Sequence, residues 1–284
     1  MPGGHGDGRS TRRFRTRVAS RPTNRAQRRA SMSERRTALI IGGGTGIGFA
    51  TAQRLTKRGV AVALSGRRQE VLAEAKANLE DEVDGAEVVI AAADSGVESE
   101  AHEMVKTAID GLGQIDVCVN GAGMYEPVDF LDMDEPSWRR TMASTLDSLV
   151  YPSVPVAAAM KDAGHGRFVL ISSINAPCSE PESAHYSAAK AGVASLARSM
   201  AVDLGSHGIQ VNAVAPGWVH TAMVDDFVEN ARPETLKQLN VLSRVGKPDE
   251  LANVIEYLAF DAPDYLTGAT IFVDGGQTAM APLI

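Results

Sequence analysis

Thr37-Ala-Leu-Ile-Ile-Gly-Gly-Gly-Thr-Gly-Ile-Gly48 is the stretch on which the fold turns. Its first five residues form a short apolar run, the signature of a strand buried on both faces. Glycines follow, and from residue 47 to 58 the apolar positions recur at helical spacing. A strand that runs through glycines into a helix lets backbone N–H groups approach a phosphate at the helix N-terminus. Gly42, Gly46 and Gly48 are spaced G-x-x-x-G-x-G, and Gly44, Thr45 and Ile47 complete the candidate loop. Alone, the run is also compatible with a tight strand-to-helix turn.

Working outward, the same alternation continues. Strands are predicted at residues 60–65, 87–91, 115–119, 167–172, 209–213 and 269–273. Helices are predicted at 68–82, 98–112, 135–163, 185–204 and 248–260. Strands joined by helices imply right-handed crossovers and a parallel sheet covered on both faces. The expectation is one α/β domain: a doubly wound, Rossmann-type sheet of about seven strands with helices on both faces. It occupies residues 32–284, with an irregular stretch at 221–243 as a candidate substrate flap.

Charge separates the first residues from the rest. Residues 1–31 hold nine Arg and one Asp, so in a chain of net charge −7 the remainder carries −15. An acidic body argues against a nucleic-acid surface. The Arg-rich arm, with Gly3, Gly4, Gly6 and Gly8 and almost no large apolar side chains, is predicted to be disordered. Three readings compete for it: an arm attracted to nucleic acid or membrane, an organelle targeting segment, or an upstream extension with Met32 as the true start. The last is favoured, because Met32 leads directly into the first strand. No apolar run is long enough to span a membrane. Two cysteines, Cys118 and Cys178, fit a reducing compartment, and a cytoplasmic location is expected.

The chemistry concentrates at the predicted strand ends. Ser65-Gly66-Arg67-Arg68 ends the second strand with no carboxylate at the position that would hold a ribose 2′-hydroxyl. Arg67 and Arg68 instead suit a 2′-phosphate, which predicts NADP(H) in preference to NAD(H); a solvated helix start is the bland alternative. Asp94, after the third strand, is placed for the adenine edge. Tyr186 and Lys190 stand four apart on a predicted helix, hence on one face. An ammonium beside a phenol favours the phenolate, and such a Tyr is a general acid/base for a carbonyl or alcohol. By itself Y-x-x-x-K arises by chance on many helices. Ser172-Ser173, Asn120-Gly121-Ala122-Gly123 and Pro216-Gly217-Trp218-Val219-His220-Thr221 also close predicted strands, where open α/β sheets bind ligands.

Taken together these motifs resemble the short-chain dehydrogenase/reductase family, over residues 37–276 and in the family's order, ending on Val273-Asp274-Gly275-Gly276. The resemblance implies that Tyr186 is the acid/base and that Lys190 tunes it and binds the nicotinamide ribose. It implies that Ser173 hydrogen-bonds the substrate oxygen, that Thr221 holds the carboxamide, and that Asn120 shapes the cofactor-binding strand end. It also implies a homotetramer or homodimer, for which the apolar Val150, Val154, Val156 and Met160 are candidate contacts unless they cover the sheet. Three positions depart from the family: Ile41 replaces a Thr, Gly121 an Asn, and Thr145 the helix Asn that supports a water-linked proton relay. Thr145 offers one hydroxyl, which bonding to its own helix would occupy.

Met124, Tyr125, Cys178 and Trp218 are candidates for the substrate pocket. His185 adjoins Tyr186 but points to another helix face, and the remaining histidines lack metal-ligand spacing, so no metal is expected. The leading function is an NADP(H)-dependent carbonyl reductase or alcohol dehydrogenase, with 3-oxoacyl reduction and a pathway-specific ketoreductase among the open substrates. A non-catalytic dinucleotide-binding regulator or scaffold is the alternative, supported by Thr145 alone. A sugar-nucleotide epimerase or dehydratase is a third, with little room here for its larger C-terminal domain.

Overall fold

A computed structural model describes residues 36–224, 230 and 233–280. The Arg-rich arm at 1–31 lies outside them, as does part of the 221–243 stretch. Strand β1 (Thr37–Ile41) is buried along its whole length. It pairs in parallel with β2 (Ala61–Gly66) on one side and with β4 (Val117–Asn120) on the other. With β3 (Val88–Ala92), β5 (Gly166–Ile171), β6 (Ile209–Pro216) and β7 (Thr270–Val273), the sheet has seven parallel strands in the order β3-β2-β1-β4-β5-β6-β7. Chain order reverses beside β1, so a crevice opens past the ends of β1 and β4.

Alternate residues of each strand enter two cores. Ala38, Ile40, Val62 and Leu64 pack with Leu55 of α1 (Gly46–Lys57), Leu72 and Leu79 of α2 (Gln69–Glu82), and Leu251 and Ile255 of α8 (Pro248–Glu256). Leu39, Ile41, Ala61 and Ala63 pack on the other face with Met104 and Ala108 of α3 (Glu98–Leu112). Leu149 and Met160 of α5 (Ser148–Ala163) and Val193 and Ala197 of α6 (Ala184–Leu204) complete that layer. Both faces being covered explains why β1 carries no polar alternation. Val156 and Met160 are fully buried over the sheet, whereas Val154 is open to solvent.

The stretch 135–163, expected as one long helical stretch, is helical throughout but holds a π-helical turn. Helix α4 (Glu135–Met142) passes into a π-helical turn (Ala143–Asp147) before α5 begins. Pro152 lies inside α5 and has no N–H for the Ser148 carbonyl one turn earlier. Asn120, at the end of β4, repairs this: its Nδ2 donates to that carbonyl at 3.0 Å, while its Oδ1 accepts the Ala122 N–H at 3.2 Å. The helix-breaking residue is thus tolerated through a strand-end amide, and the amide is buried for that purpose. Among the described residues, a further short α-helix, α7, spans Pro233–Gln238.

Candidate active site

A cleft of about 390 Å³ runs along the carboxyl ends of the strands. One end is the glycine loop. Gly42 (φ 79°) and Gly43 donate their N–H groups to the Ser65 carbonyl at 2.8 and 3.0 Å, folding the loop back on β2. A Cβ at Gly48 would lie 2.0 Å from the Gly42 carbonyl oxygen, so only glycine lets α1 start this close to the strand. The α1 N-terminus has no side-chain cap and no acidic residue in its first turn. Its free N–H groups suit an anion.

Gly42, Gly44, Thr45, Gly46, Ile47, Gly48, Arg67, Arg68, Asp94, Gly121, Ala122 and Gly123 all line the cleft, as do Pro216, Gly217, Val219 and Thr221. Arg67 and Arg68 are exposed and form no ion pair among the described residues. Asp94 is the sole carboxylate among the cleft-lining residues, and its Oδ1 accepts the Gly96 N–H at 2.9 Å. Asn120 lies behind the cleft rather than on it, consistent with its bond to Ser148.

At the other end stand Ser173, Tyr186 and Lys190. Tyr186 is in the first turn of α6, where the helix dipole favours an anion. Ser173 sits just past β5; its Oγ accepts the Asn175 N–H at 3.1 Å and bonds the Tyr186 phenol. Lys190 Nζ lies 5.6 Å from the Tyr186 ring centre and donates to the Ile171 carbonyl at 2.8 Å. Burial pushes the phenol up to about 12, with the Ser173 bond pulling the other way. Burial pulls the Lys190 ammonium down to about 8. Lys190 is not among the causes of the Tyr186 shift. The ammonium faces the ring and a backbone carbonyl rather than the phenol oxygen.

Thr145 is fully buried in the π-helical turn. Its hydroxyl reaches the Met124 carbonyl at 3.4 Å rather than a carbonyl of its own helix, and Ser144 Oγ lies 3.5 Å away. A Cβ on Gly123 would stand 3.4 Å from Lys190 Nζ and 3.8 Å from Thr145 Oγ1, so both groups flank the same small opening. Ser144 and Ser148 line the cleft as well. Neither stands in a motif that the sequence singles out; their nearness to Thr145 was the available signal.

The substrate-pocket candidates divide. Tyr125 packs its ring edge-on against Tyr186, centroids 5.2 Å apart, and Met124 supplies the carbonyl to Thr145. Trp218 is turned away and lines a separate hollow with Asn240 and Arg244. Extended backbone alternates its side chains, so with Val219 facing the cleft Trp218 faces the opposite way. Cys178 is exposed and does not line the cleft. Nor does His185, which is fully buried. Among the described residues, no helix is long and apolar enough to cross a membrane.

Residues 42–278 match the family described as Enoyl-(Acyl carrier protein) reductase. The chain is 33% identical over 254 residues to the short-chain reductase protein NovJ of Streptomyces niveus, an alignment covering 87% of this chain and 95% of that one. It is 35% identical over 241 residues to the 3-oxoacyl-[acyl-carrier-protein] reductase of Synechocystis sp., covering 84% and 96% respectively. The crystal structure of levodione reductase superposes with a TM-score of 0.82 at 30% identity, over 87% of this chain and 98% of its own.

Proposed function

The chain belongs to the short-chain dehydrogenase/reductase family, and on that footing we propose that it is an NADP(H)-dependent oxidoreductase interconverting a ketone and a secondary alcohol, with Tyr186 as general acid/base. The observation that carries this reading is the convergence of Ser173, Tyr186 and Lys190 on the far end of a cleft that begins at an uncapped helix N-terminus. The relatives named above as reductases support carbonyl chemistry. Intact Ser173, Tyr186 and Lys190 favour turnover over a purely regulatory role.

The residues present fit a nicotinamide dinucleotide. The glycine loop leaves backbone room for a pyrophosphate at the start of α1. Arg67 and Arg68 are free cations at the end of β2, suited to a 2′-phosphate, and Asp94 stands near the adenine end. Thr221 and Lys190 would hold the nicotinamide end. The dinucleotide, when bound, donates or accepts the hydride.

The protein handles the proton. In reduction the Tyr186 hydroxyl gives its proton to the substrate oxygen; in oxidation the phenolate takes it back. Because the Asn175 N–H occupies one lone pair of Ser173 Oγ, the Ser173 O–H is left to donate to the phenol oxygen or to a substrate oxygen beside it. Thr145 stands across the Gly123 opening from Lys190, with Ser144 Oγ beside it, and these hydroxyls are available for resupply of the proton.

Cofactor preference is the sharpest test. Charge-assisted bonds contribute about 1.5–3 kcal/mol each, so NADPH should bind at least tenfold tighter than NADH, and Arg67→Asp should reverse the order. Equal affinities in the parent protein would refute the preference. A panel of ketones and secondary alcohols assayed with both cofactors tests the reaction class.

A further inference from the structure

The apolar run of β5 ends on a hydroxyl. Phe168 and Leu170 belong to the layer that α6 covers, and strand alternation puts residue 172 on the same side. An apolar side chain would suit that place, yet Ser172 fills it and is 2% exposed. Burying a hydroxyl without a partner is costly. Ser172 Oγ finds its partner in α6, donating to the Lys190 carbonyl at 2.9 Å.

That carbonyl does not need the bond. It lies in the interior of α6, where the N–H four residues on takes one of its two lone pairs. The Ser148 carbonyl differs, since Pro152 leaves it without a helix donor. Ser172 therefore repairs no helix; it ties the sheet to one. It is the middle of three consecutive residues that hold the same turn of α6. The Ile171 carbonyl accepts from Lys190 Nζ at 2.8 Å, Ser172 Oγ holds the Lys190 backbone, and Ser173 Oγ bonds the Tyr186 phenol. The anchor is itself fixed to β6: the Ser172 N–H donates to the Val214 carbonyl at 2.7 Å, and the Ile174 N–H to the Pro216 carbonyl at 3.0 Å.

We propose that Ser172 is a positioning residue that fixes the Lys190 backbone against the end of β5, so that Nζ is kept at the Ile171 carbonyl and beside the Tyr186 ring. This rests on the oxidoreductase reading for what Lys190 does, and on geometry alone for where Lys190 is held. A lysine side chain is long and gives up much rotamer freedom when it is buried. Holding its backbone as well as its Nζ leaves it one placement. With the backbone released, the ammonium is free to leave the Ile171 carbonyl for the open cleft, where water solvates it.

Lys190 can be followed without turnover by NMR of lysine labelled with ¹³C at Cε, its signal assigned by its loss in Lys190→Met. Around Nζ stand Gly123, Thr145 and the Ile171 carbonyl, which do not titrate, and the Tyr186 phenol, which burial pushes up to about 12. Burial sets the parent Lys190 at about 8. Ser172→Ala should move it roughly 0.5–1 unit towards the ordinary lysine value. The same variant should lower kcat with NADPH about three- to tenfold and leave the KM of the ketone near the parent's. Ser172→Thr, which keeps the hydroxyl, should restore both. Val193→Ala removes buried methyl groups from the same helix and leaves the Ser172 bond in place. It should lower the urea midpoint at least as much as Ser172→Ala and move neither the titration nor kcat. An unmoved Lys190 titration in Ser172→Ala, an equal shift in Val193→Ala, or a folded Ser172→Thr that behaves like Ser172→Ala would each overturn the proposal. If the titrations behave as expected and the parent turns over no ketone or secondary alcohol, the positioning role stands and the oxidoreductase reading fails.

Discussion

Lys190 is 4% exposed, and burial takes its ammonium from 10.5 to about 8. A change of that size corresponds to about 3 kcal/mol between the charged and neutral forms. The folded pKa lies below the unfolded one, so between pH 8 and 10.5 the unfolded chain holds a proton that the folded protein has released. Stability from this group is therefore fully present above about 10.5 and is lost as pH falls through about 8. Lys190→Met keeps an unbranched side chain of similar length and removes the titration. It also leaves the Ile171 carbonyl without its Nζ donor, a cost that does not change with pH. Urea unfolding of both proteins from pH 7 to 10 isolates the effect as a difference of two curves. Over that range the parent should gain about 2–3 kcal/mol relative to Lys190→Met. Stopping at pH 10 avoids Tyr186, whose raised value of about 12 makes the fold lose stability only above the ordinary tyrosine range. Parallel curves would refute the claim that the fold holds Lys190 at a cost near neutrality.

Tyr186→Phe should lower turnover by at least about 10²–10⁴-fold while leaving NADPH affinity, measured by fluorescence titration, close to the parent value. Thr145→Val should slow turnover and shift its pH profile if the hydroxyl resupplies the proton, with Thr145→Asn tolerated; an unchanged profile in Thr145→Val would remove Thr145 from the proton path. Asn120→Ala leaves the Ser148 carbonyl without a donor and should cost about 1–3 kcal/mol in denaturant unfolding. In a Pro152→Ala background, which restores the helix N–H, the same change should cost measurably less, and an identical cost would separate Asn120 from Pro152.

The strand-and-glycine grammar was legible because burial on both faces writes itself as a continuous apolar run. Thr37–Ile41 and the helix Glu98–Leu112 fall where the sequence pattern puts them. The π-helical turn at Ala143–Asp147 was not legible. Apolar spacing reports which side of a helix faces the core, and one extra residue in a turn shifts that spacing too little to stand out. Pro152 was the visible clue, since a proline inside a buried helix demands an outside donor for the carbonyl before it. Trp218 and Cys178 illustrate a different limit. Both follow strand ends, so their neighbourhood was readable, but the direction of a loop side chain depends on the backbone torsions of each step. Val219 faces the cleft and Trp218 faces away for that reason alone.

The pairing of Tyr186 with Lys190 shows where spacing stops being sufficient. Four residues on a helix bring the two side chains together, and the structure does so, with Nζ 5.6 Å from the ring centre. Whether the ammonium lowers the phenol depends on where its charge is spent. Here it is spent on the Ile171 carbonyl at the end of β5, and both groups are shifted by burial toward their neutral forms. A neutral pair suits a cleft that must give a proton in one direction and take it in the other. The phenol then needs a nearby positive charge only while it is ionised. Ser173 already opposes the effect of burial on Tyr186, and the α6 N-terminus favours the phenolate. Lys190, with Thr145 across the opening at Gly123, stands on the interior side of the ring. Burial and, to a lesser extent, Glu180 oppose ionisation of the phenol. The acid/base poise of Tyr186 is thus set by burial and Glu180 on one side and by the Ser173 bond on the other.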